Sequence, residues 1–266
     1  MSVCMSPTMA GIIGLGVILT ALTLVWTLSV RLRDASIVDT CWGLGFVLLA
    51  WLYVFLSPAL TTRSWLVTAL ITLWGVRLSV HIFRRNHGKG EDPRYTAMRV
   101  SQGPPFWWLS LFRVFWLQGV ILWFVALPLF VAVRAPQPAS LTAIDGLGLL
   151  IFIVGFGFEM IGDYQLERFK ADPSNRGQVL DRGLWRYTRH PNYFGDAMMW
   201  WGVYLMATAT PGGWLTALSP AVMTLLLMRV SGVPLLEKSL KTSKPGYHAY
   251  IVRTPAFFPW FPRVPR

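Results

Sequence analysis

The sequence predicts an all-α fold, a polytopic membrane bundle of seven transmembrane helices with its N-terminus outside and its C-terminus cytoplasmic. Three observations predict it. Charged residues make up only 14% of the chain and hydrophobic residues 54%, against roughly 25% and 45–50% in soluble domains. Seven apolar runs, near residues 9–30, 37–57, 64–83, 107–131, 143–165, 192–210 and 213–230, are each long enough to cross about 30 Å of hydrocarbon as a helix. The basic residues then alternate sides. With the N-terminus outside, twenty of the twenty-four fall in cytoplasmic segments: Arg31 and Arg33, Arg84 to Arg99, Arg168 to Arg189, and Arg229 to Arg266. Arg63 and Arg134 fall in outer loops, and Arg77 and Arg113 lie within helices, a distribution that follows the positive-inside rule.

Taken in order, the first run lacks a basic leader and a small-residue cleavage site, so residues 1–30 read as a retained helix and not a removed signal peptide. The second opens on Asp39-Thr40-Cys41-Trp42-Gly43. An acidic residue there is either a partner of the helix dipole or, where apolar surroundings raise its pKa, a proton donor. The third carries Arg77, His81 and Arg84 one turn apart, a cationic stripe that suggests a wet, anion-filled cavity. Snorkelling to the inner surface accounts for Arg84 but hardly for Arg77. The loop from Arg84 to Tyr95 mixes Gly88 and Gly90 with basic groups, so backbone can approach a phosphate while side chains neutralise it.

The fifth run spaces Glu159 and Asp163 by one turn, with Glu167 continuing the stripe. Two carboxylates in so dry a place call for a cation, Arg77 or Arg113, or for a hydroxyl-rich ligand. The sixth starts at Pro191, because proline fits a first helical position and disfavours helix at His190. Arg186, Arg189, His190, Asn192 and Tyr193 thus surround a helix N-terminus with unpaired N–H groups, a setting that suits phosphate. The plainer alternative is a basic loop held against anionic lipid. The closing stretch from Thr254 to Pro262 is too proline-rich for a helix and too aromatic for a free tail, which places it in the membrane interface.

The net charge of +12 needs no nucleic acid, since positive-inside bias and anionic lipid produce it. Two cysteines, Cys4 in an outer tail and Cys41 in a membrane helix, predict neither disulfide nor metal site. No repeat or linker divides residues 1–266, so one domain is expected. Its long polar segments, 84–106, 166–191 and the tail after residue 231, should meet at the inner membrane surface and hold the chemistry there.

Several pieces together carry a family resemblance: Asp39-Thr-Cys-Trp42-Gly43, Asp92-Pro-Arg94-Tyr95, Asp163-Tyr-Gln165, Gly183-Leu-Trp185, Arg189-His-Pro-Asn-Tyr-Phe-Gly195 and Gly232-Val-Pro-Leu-Leu-Glu237-Lys238. The chain resembles the integral membrane reductases related to steroid 5-alpha-reductase, in the bacterial branch described as a domain of unknown function similar to its C-terminal half. The resemblance implies a seven-helix protein of a bacterial inner membrane, binding NADPH in a cavity open to the cytoplasm and admitting an enone-type lipid or steroid from the bilayer. It implies that Asp163, Asn192, Asp196 and Arg229 contact the nucleotide. The glutamine–glutamate pair and the tyrosine that hold the ketone in the animal steroid enzymes have no clean counterpart here, Asp39 and His81 lying nearest.

The expected chemistry is hydride transfer to the β-carbon of an α,β-unsaturated carbonyl, with Asp39, His81 and Tyr95 at the carbonyl end. Arg84, Arg94, Arg186 and Arg189 are assigned to the phosphates, with His190, Tyr193 and Glu237 completing the cofactor set. Arg189→Ala is expected to weaken cofactor binding far more than folding. A rival class, the S-adenosylmethionine-dependent membrane methyltransferases of isoprenylated cysteine or phospholipid head groups, shares an Arg-His-Pro-x-Tyr-x-Gly turn but wants a Glu-Glu pair where this chain has Glu237-Lys238. A sulfonium cofactor without phosphate would also leave the basic loop without a task. A non-catalytic lipid-binding protein or scaffold would keep carboxylates and arginines at membrane depth with no ligand, a costly arrangement.

Overall fold

The computed structural model describes residues 5–230 and 232–263, so Cys4 and Arg266 lie outside the described residues. Regular structure among the described residues is helical throughout. Six helices are long and apolar enough to cross a membrane: Pro7–Leu32, Ile37–Phe55, Thr62–Asn86, Phe106–Val125, Ala143–Ala171 and Gly213–Ser243. These mark a multi-pass membrane protein. Pro191–Thr208 forms a helix of 18 residues where the sixth run predicts one. It is not among the six, because Asn192, Asp196 and a run of indole and phenol side chains dilute its apolar character. The helices group into two compact units, Met1–Thr142 with Ala207–Trp214, and Ala143–Met206 with Leu215–Arg266.

In the first unit, α1 (Pro7–Leu32) begins with proline in its first turn and with the Ser6 hydroxyl accepting from the Met9 amide at 3.2 Å. Helix α2 spans Ile37–Phe55, and α3 (Thr62–Asn86) starts in a capping box between Thr61 and Ser64. The loop after α3 is not wholly irregular: Asp92 caps a short helix, α4 (Pro93–Gln102). A continuous stretch then runs through α5 (Phe106–Ser110), a π turn (Leu111–Trp116) and α6 (Leu117–Val125). The fourth run reads as one helix over 107–131, yet the helix ends at Val125 and α7 (Leu127–Arg134) starts anew. Pro128 causes the break, since it has no N–H to donate and its ring would clash with a carbonyl one turn earlier. Three indole N–H groups rivet this stretch to α1: Trp26 donates to the Trp107 carbonyl at 2.9 Å, Trp116 to the Thr23 hydroxyl at 3.0 Å, and Trp123 to the Gly11 carbonyl at 2.9 Å. Such groups must find partners inside hydrocarbon.

The second unit is built on α8 (Ala143–Ala171) and α9 (Pro191–Thr208). Gly148, Gly155 and Gly162 recur every seven residues on α8 and face Gly202, Gly195 and Pro191 of α9. A Cβ on Gly195 would come within 2.4 Å of the Gly155 carbonyl, so only hydrogen allows the two backbones this close. This seam brings the first turn of α9 against α8 beside Asp163. The connection holds short 3-10 turns at Pro173–Asn175 and Gly183–Arg186. After a 3-10 turn at Gly213–Ala217, α10 (Leu218–Leu225) continues as a π turn through Leu226–Val230. Two short helices follow, α11 (Val233–Ser243) and α12 (Tyr247–Arg253), and then a non-helical stretch to residue 263, as its prolines predict.

Candidate functional site

In the first unit the start of α2 meets α4. Asp39 accepts from Arg94 Nη2 at 2.6 Å on one carboxylate oxygen and from the Tyr95 hydroxyl at 2.7 Å on the other. The Tyr95 oxygen in turn accepts from Gln118 Nε2 at 3.2 Å. Arg94 also holds Asp92 through Nε at 3.0 Å and Nη2 at 3.1 Å, and its own amide donates to that carboxylate, so the capping residue doubles as a second counter-ion. Tyr95 is buried, and burial followed by the adjacent Asp39 charge drives its hydroxyl pKa far above the usual phenol value. The proton therefore stays on oxygen as a standing hydrogen-bond donor. Next to this cluster, Glu91 takes Arg99 at 2.7 Å and the Ala35 amide at 2.9 Å, locking α4 onto the α1–α2 turn. Burial disfavours the Glu91 charge, but the Arg99 and Ala35 hydrogen bonds outweigh it and hold its carboxyl below the ordinary range.

In the second unit, Asn192 in the first turn of α9 donates from Nδ2 to Asp163 Oδ1 at 3.1 Å. Its own Oδ1 accepts from the Tyr193 amide at 3.1 Å. The carbonyl end of the amide is thus fixed and the Asp163 carboxylate is steered. The preceding turn is folded back on α8: Gly183, at φ 62, packs against Gln165, whose Oε1 accepts from the Leu184 amide at 3.0 Å. Trp185 donates to the Gly162 carbonyl at 3.1 Å.

Arg189 and His190 lie on the other side of that turn and are buried. Arg189 donates from Nε to Glu237 at 2.8 Å and from Nη1 to the Ile251 carbonyl at 3.2 Å, with a further bond to the Thr254 carbonyl. Its amide donates to the Pro255 carbonyl at 2.9 Å, and the Thr188 hydroxyl donates to that of Phe257 at 2.8 Å. His190 Nε2 lies 3.1 Å from the same Glu237 oxygen. A carboxylate can only accept, so the ring carries its proton on Nε2, leaving Nδ1 as an acceptor that has no partner among the described residues. Burial lowers the His190 pKa more than Glu237 raises it, and the ring is neutral. It stacks on Tyr193 with centroids 5.3 Å apart.

The structure therefore gathers the sequence candidates into three groups: Asp39 with Arg94 and Tyr95; Asp163 with Asn192; and Arg189 with His190, Tyr193 and Glu237. Arg84, Arg186 and Arg229 are exposed, while His81 and Asp196 are half-buried and hold partners of their own. Gln118 is a member the sequence does not flag, because a lone glutamine in an apolar run carries no motif. Arg168 and Arg182 are two more. With Tyr164, Asp172, Asn175 and Gly183 they line a cleft of about 440 Å³ at the end of α8. Neither forms an ion pair among the described residues; Arg168 meets only the Tyr164 hydroxyl, at 3.1 Å, and Arg182 lies over the Phe169 ring.

Residues 25–254 match the family described as "Protein of unknown function (DUF1295)", and the chain belongs to that family. Among curated proteins it is similar to the uncharacterized protein C594.04c of the fission yeast Schizosaccharomyces pombe, 27% identical over 259 residues that cover 88% of this chain and 75% of its relative. No solved structure matches it.

Proposed function

We propose that this member of the DUF1295 family is an NADPH-dependent membrane reductase acting on the carbon–carbon double bond of an enone-type lipid or steroid. In this reading α9 is the sixth of seven spans, the N-terminus is outside, and the membrane is the inner membrane of a bacterium. The observation that carries the proposal is the buried Tyr95 hydroxyl set between Asp39 and Gln118. Transfer of a methyl group from a sulfonium to a carboxylate leaves a neutral thioether and needs no acid. Saturating an enone does need a donor at the carbonyl oxygen and then a proton for the α-carbon.

When bound, NADPH would supply a hydride to the β-carbon of the enone, leaving an enolate whose negative charge lies on the carbonyl oxygen. Tyr95 turns its O–H from Asp39 to that oxygen, contributing about 3 kcal/mol, the scale of one oxyanion-hole donor. Gln118 holds the phenol oxygen in place meanwhile. Asp39 stays charge-balanced by Arg94, Tyr95 keeps its proton throughout, and solvent water supplies the proton that the α-carbon takes up as the enolate collapses to the saturated ketone.

The donor set of the second unit fits a phosphorylated dinucleotide. Asp163 and Asn192 offer an acceptor and a donor to ribose or amide, and Arg229 remains in the set. Arg168 and Arg182 present two guanidinium groups against the single carboxylate of Asp172 in one cleft, a net positive site of the kind phosphate oxygens require. Arg186 is exposed and available to phosphate as well. Arg189, His190 and Glu237 act by shaping the entrance to α9, since their polar atoms are mostly engaged with one another and with the C-terminal backbone.

The two-ligand test is thermal unfolding of the purified protein with NADPH and, separately, with S-adenosylmethionine. NADPH should raise the midpoint and S-adenosylmethionine should not. Stabilisation by S-adenosylmethionine alone overturns the reductase reading in favour of a methyltransferase.

A further inference from the structure

Where α1 ends, the first unit holds a cavity of about 260 Å³ walled by Val30, Phe106 and Trp107 on its apolar side and by Arg33 and Arg99 on its polar side. At that size it falls below the roughly 300–1,000 Å³ of an enclosed small-molecule pocket. It matches a head group whose remainder lies elsewhere. The apolar wall is rigid, because the Trp26 and Trp107 rings stack with centroids 6.4 Å apart and the Trp26 indole is bonded to the Trp107 carbonyl. Trp107 is 55% exposed and Val30 39% exposed, so that wall continues out onto the lipid-facing surface.

The polar wall has a single uncommitted charge. Arg99 gives Nε and Nη2 to Glu91 at 3.1 and 2.7 Å and lies over the Phe106 ring. The Ser29 and Ser110 hydroxyls that also line the cavity donate to backbone carbonyls at 2.8 and 2.9 Å. Arg33 has no carboxylate partner among the described residues. It is also the one non-glycine residue among them at positive φ, 56°, in the left-handed helix cap that glycine fills without strain.

A free guanidinium over a cavity, an aromatic wall running out into the bilayer, and a position at the end of a candidate span together describe a binding place for a lipid phosphate. We propose that this cavity holds the phosphodiester head of an anionic phospholipid, with Arg33 on the phosphate and the first acyl carbons along Val30 and Trp107. The site is separate from the Asp39–Tyr95 cluster and stands whether or not the protein is a reductase.

The test is thermal unfolding of the purified full chain in neutral detergent, titrated with phosphatidylglycerol, phosphatidylcholine or inorganic phosphate. Phosphatidylglycerol should raise the midpoint by at least about 3 °C at saturation, and the other two should leave it unchanged. Arg33→Gly, which suits the left-handed cap and so should fold, is expected to lose that rise, while Arg31→Gln, outside the cavity, keeps it. An equal rise with phosphatidylcholine, a rise with inorganic phosphate alone, or a phosphatidylglycerol response that survives Arg33→Gly would each overturn the proposal.

Discussion

Arg94 and Arg189 occupy matching places in the sequence, each in a short polar motif with a tyrosine close by and an apolar run after it. The fold treats them differently. Arg94 leaves 45% of its side chain in the open while it balances Asp39 and Asp92; Arg189 is 8% exposed and divides its donors between Glu237 and two backbone carbonyls. The first arrangement keeps a charged edge exchangeable beside a buried hydroxyl. The second ties three separate stretches of chain, the entrance to α9, α11 and the end of α12, into one buried knot. An arginine in a motif is thus identified by what already holds it, and the more closed of the two clusters is expected to govern folding.

Removing one member of the buried knot gives the largest expected effect. Arg189→Ala leaves Glu237 with the neutral His190 in place of a cation and takes the guanidinium from the carbonyls of residues 251 and 254, a loss of about 3–5 kcal/mol for breaking a buried pair from one side. Burial of this side chain predicts a large folding cost, where the sequence alone predicts that cofactor binding suffers far more than folding. Denaturation of Arg189→Ala alongside Arg94→Ala tests the contrast: the second should lose under about 1 kcal/mol, as exposed pairs do. Equal losses would erase the distinction between the two clusters.

Next in size is Tyr95→Phe, which deletes the donor and keeps the ring. Reduction of an enone should slow by about 10²–10³-fold, the effect of removing one oxyanion-hole donor, while NADPH affinity stays near that of the parent. Steady-state rates and a cofactor titration read the two separately. A Tyr95→Phe enzyme of unchanged rate would remove Tyr95 from the chemistry and leave the half-open cluster as a structural cap on α2.

How much of this was legible in the sequence depends on the range of the interaction involved. The start of α9 at Pro191 is legible because proline's missing N–H and fixed φ act within a few residues. The membrane class is legible because it sums over many residues. The partners of Arg189 are not, since backbone carbonyls more than sixty residues away carry no side-chain signature. Nor is the break at Ala126 obvious within a run that is apolar on both sides. The seven-residue glycine spacing on α8 and α9 was present to be read, and only facing helices reveal its meaning. Gly195→Ala tests it: a methyl 2.4 Å from the Gly155 carbonyl must part the backbones, costing about 1–3 kcal/mol. Moving α9 from α8 also draws Asn192 off Asp163, so NADPH binding should weaken in step with stability. Stability lost without any change in binding would detach the seam from the site.

The smallest effect separates the two clusters by pH. Glu91 keeps a folded-state carboxyl pKa below its unfolded value of about 4.3. A group depressed in this way contributes stability above its unfolded pKa, and that contribution disappears as pH falls through the folded value. Melting midpoints should therefore decline between about pH 5 and pH 3, and Glu91→Gln should flatten part of that decline at a cost of less than about 1 kcal/mol near neutrality. His190 has the same sign at higher pH. Its folded pKa is depressed from about 6.5, so the stability of the buried knot is complete above that value and erodes on acidification before Glu91 begins to protonate. Two steps, with only the lower one removed by Glu91→Gln, would assign one titration to each unit; a single step abolished by Glu91→Gln would show that the buried histidine does not report on folding at all.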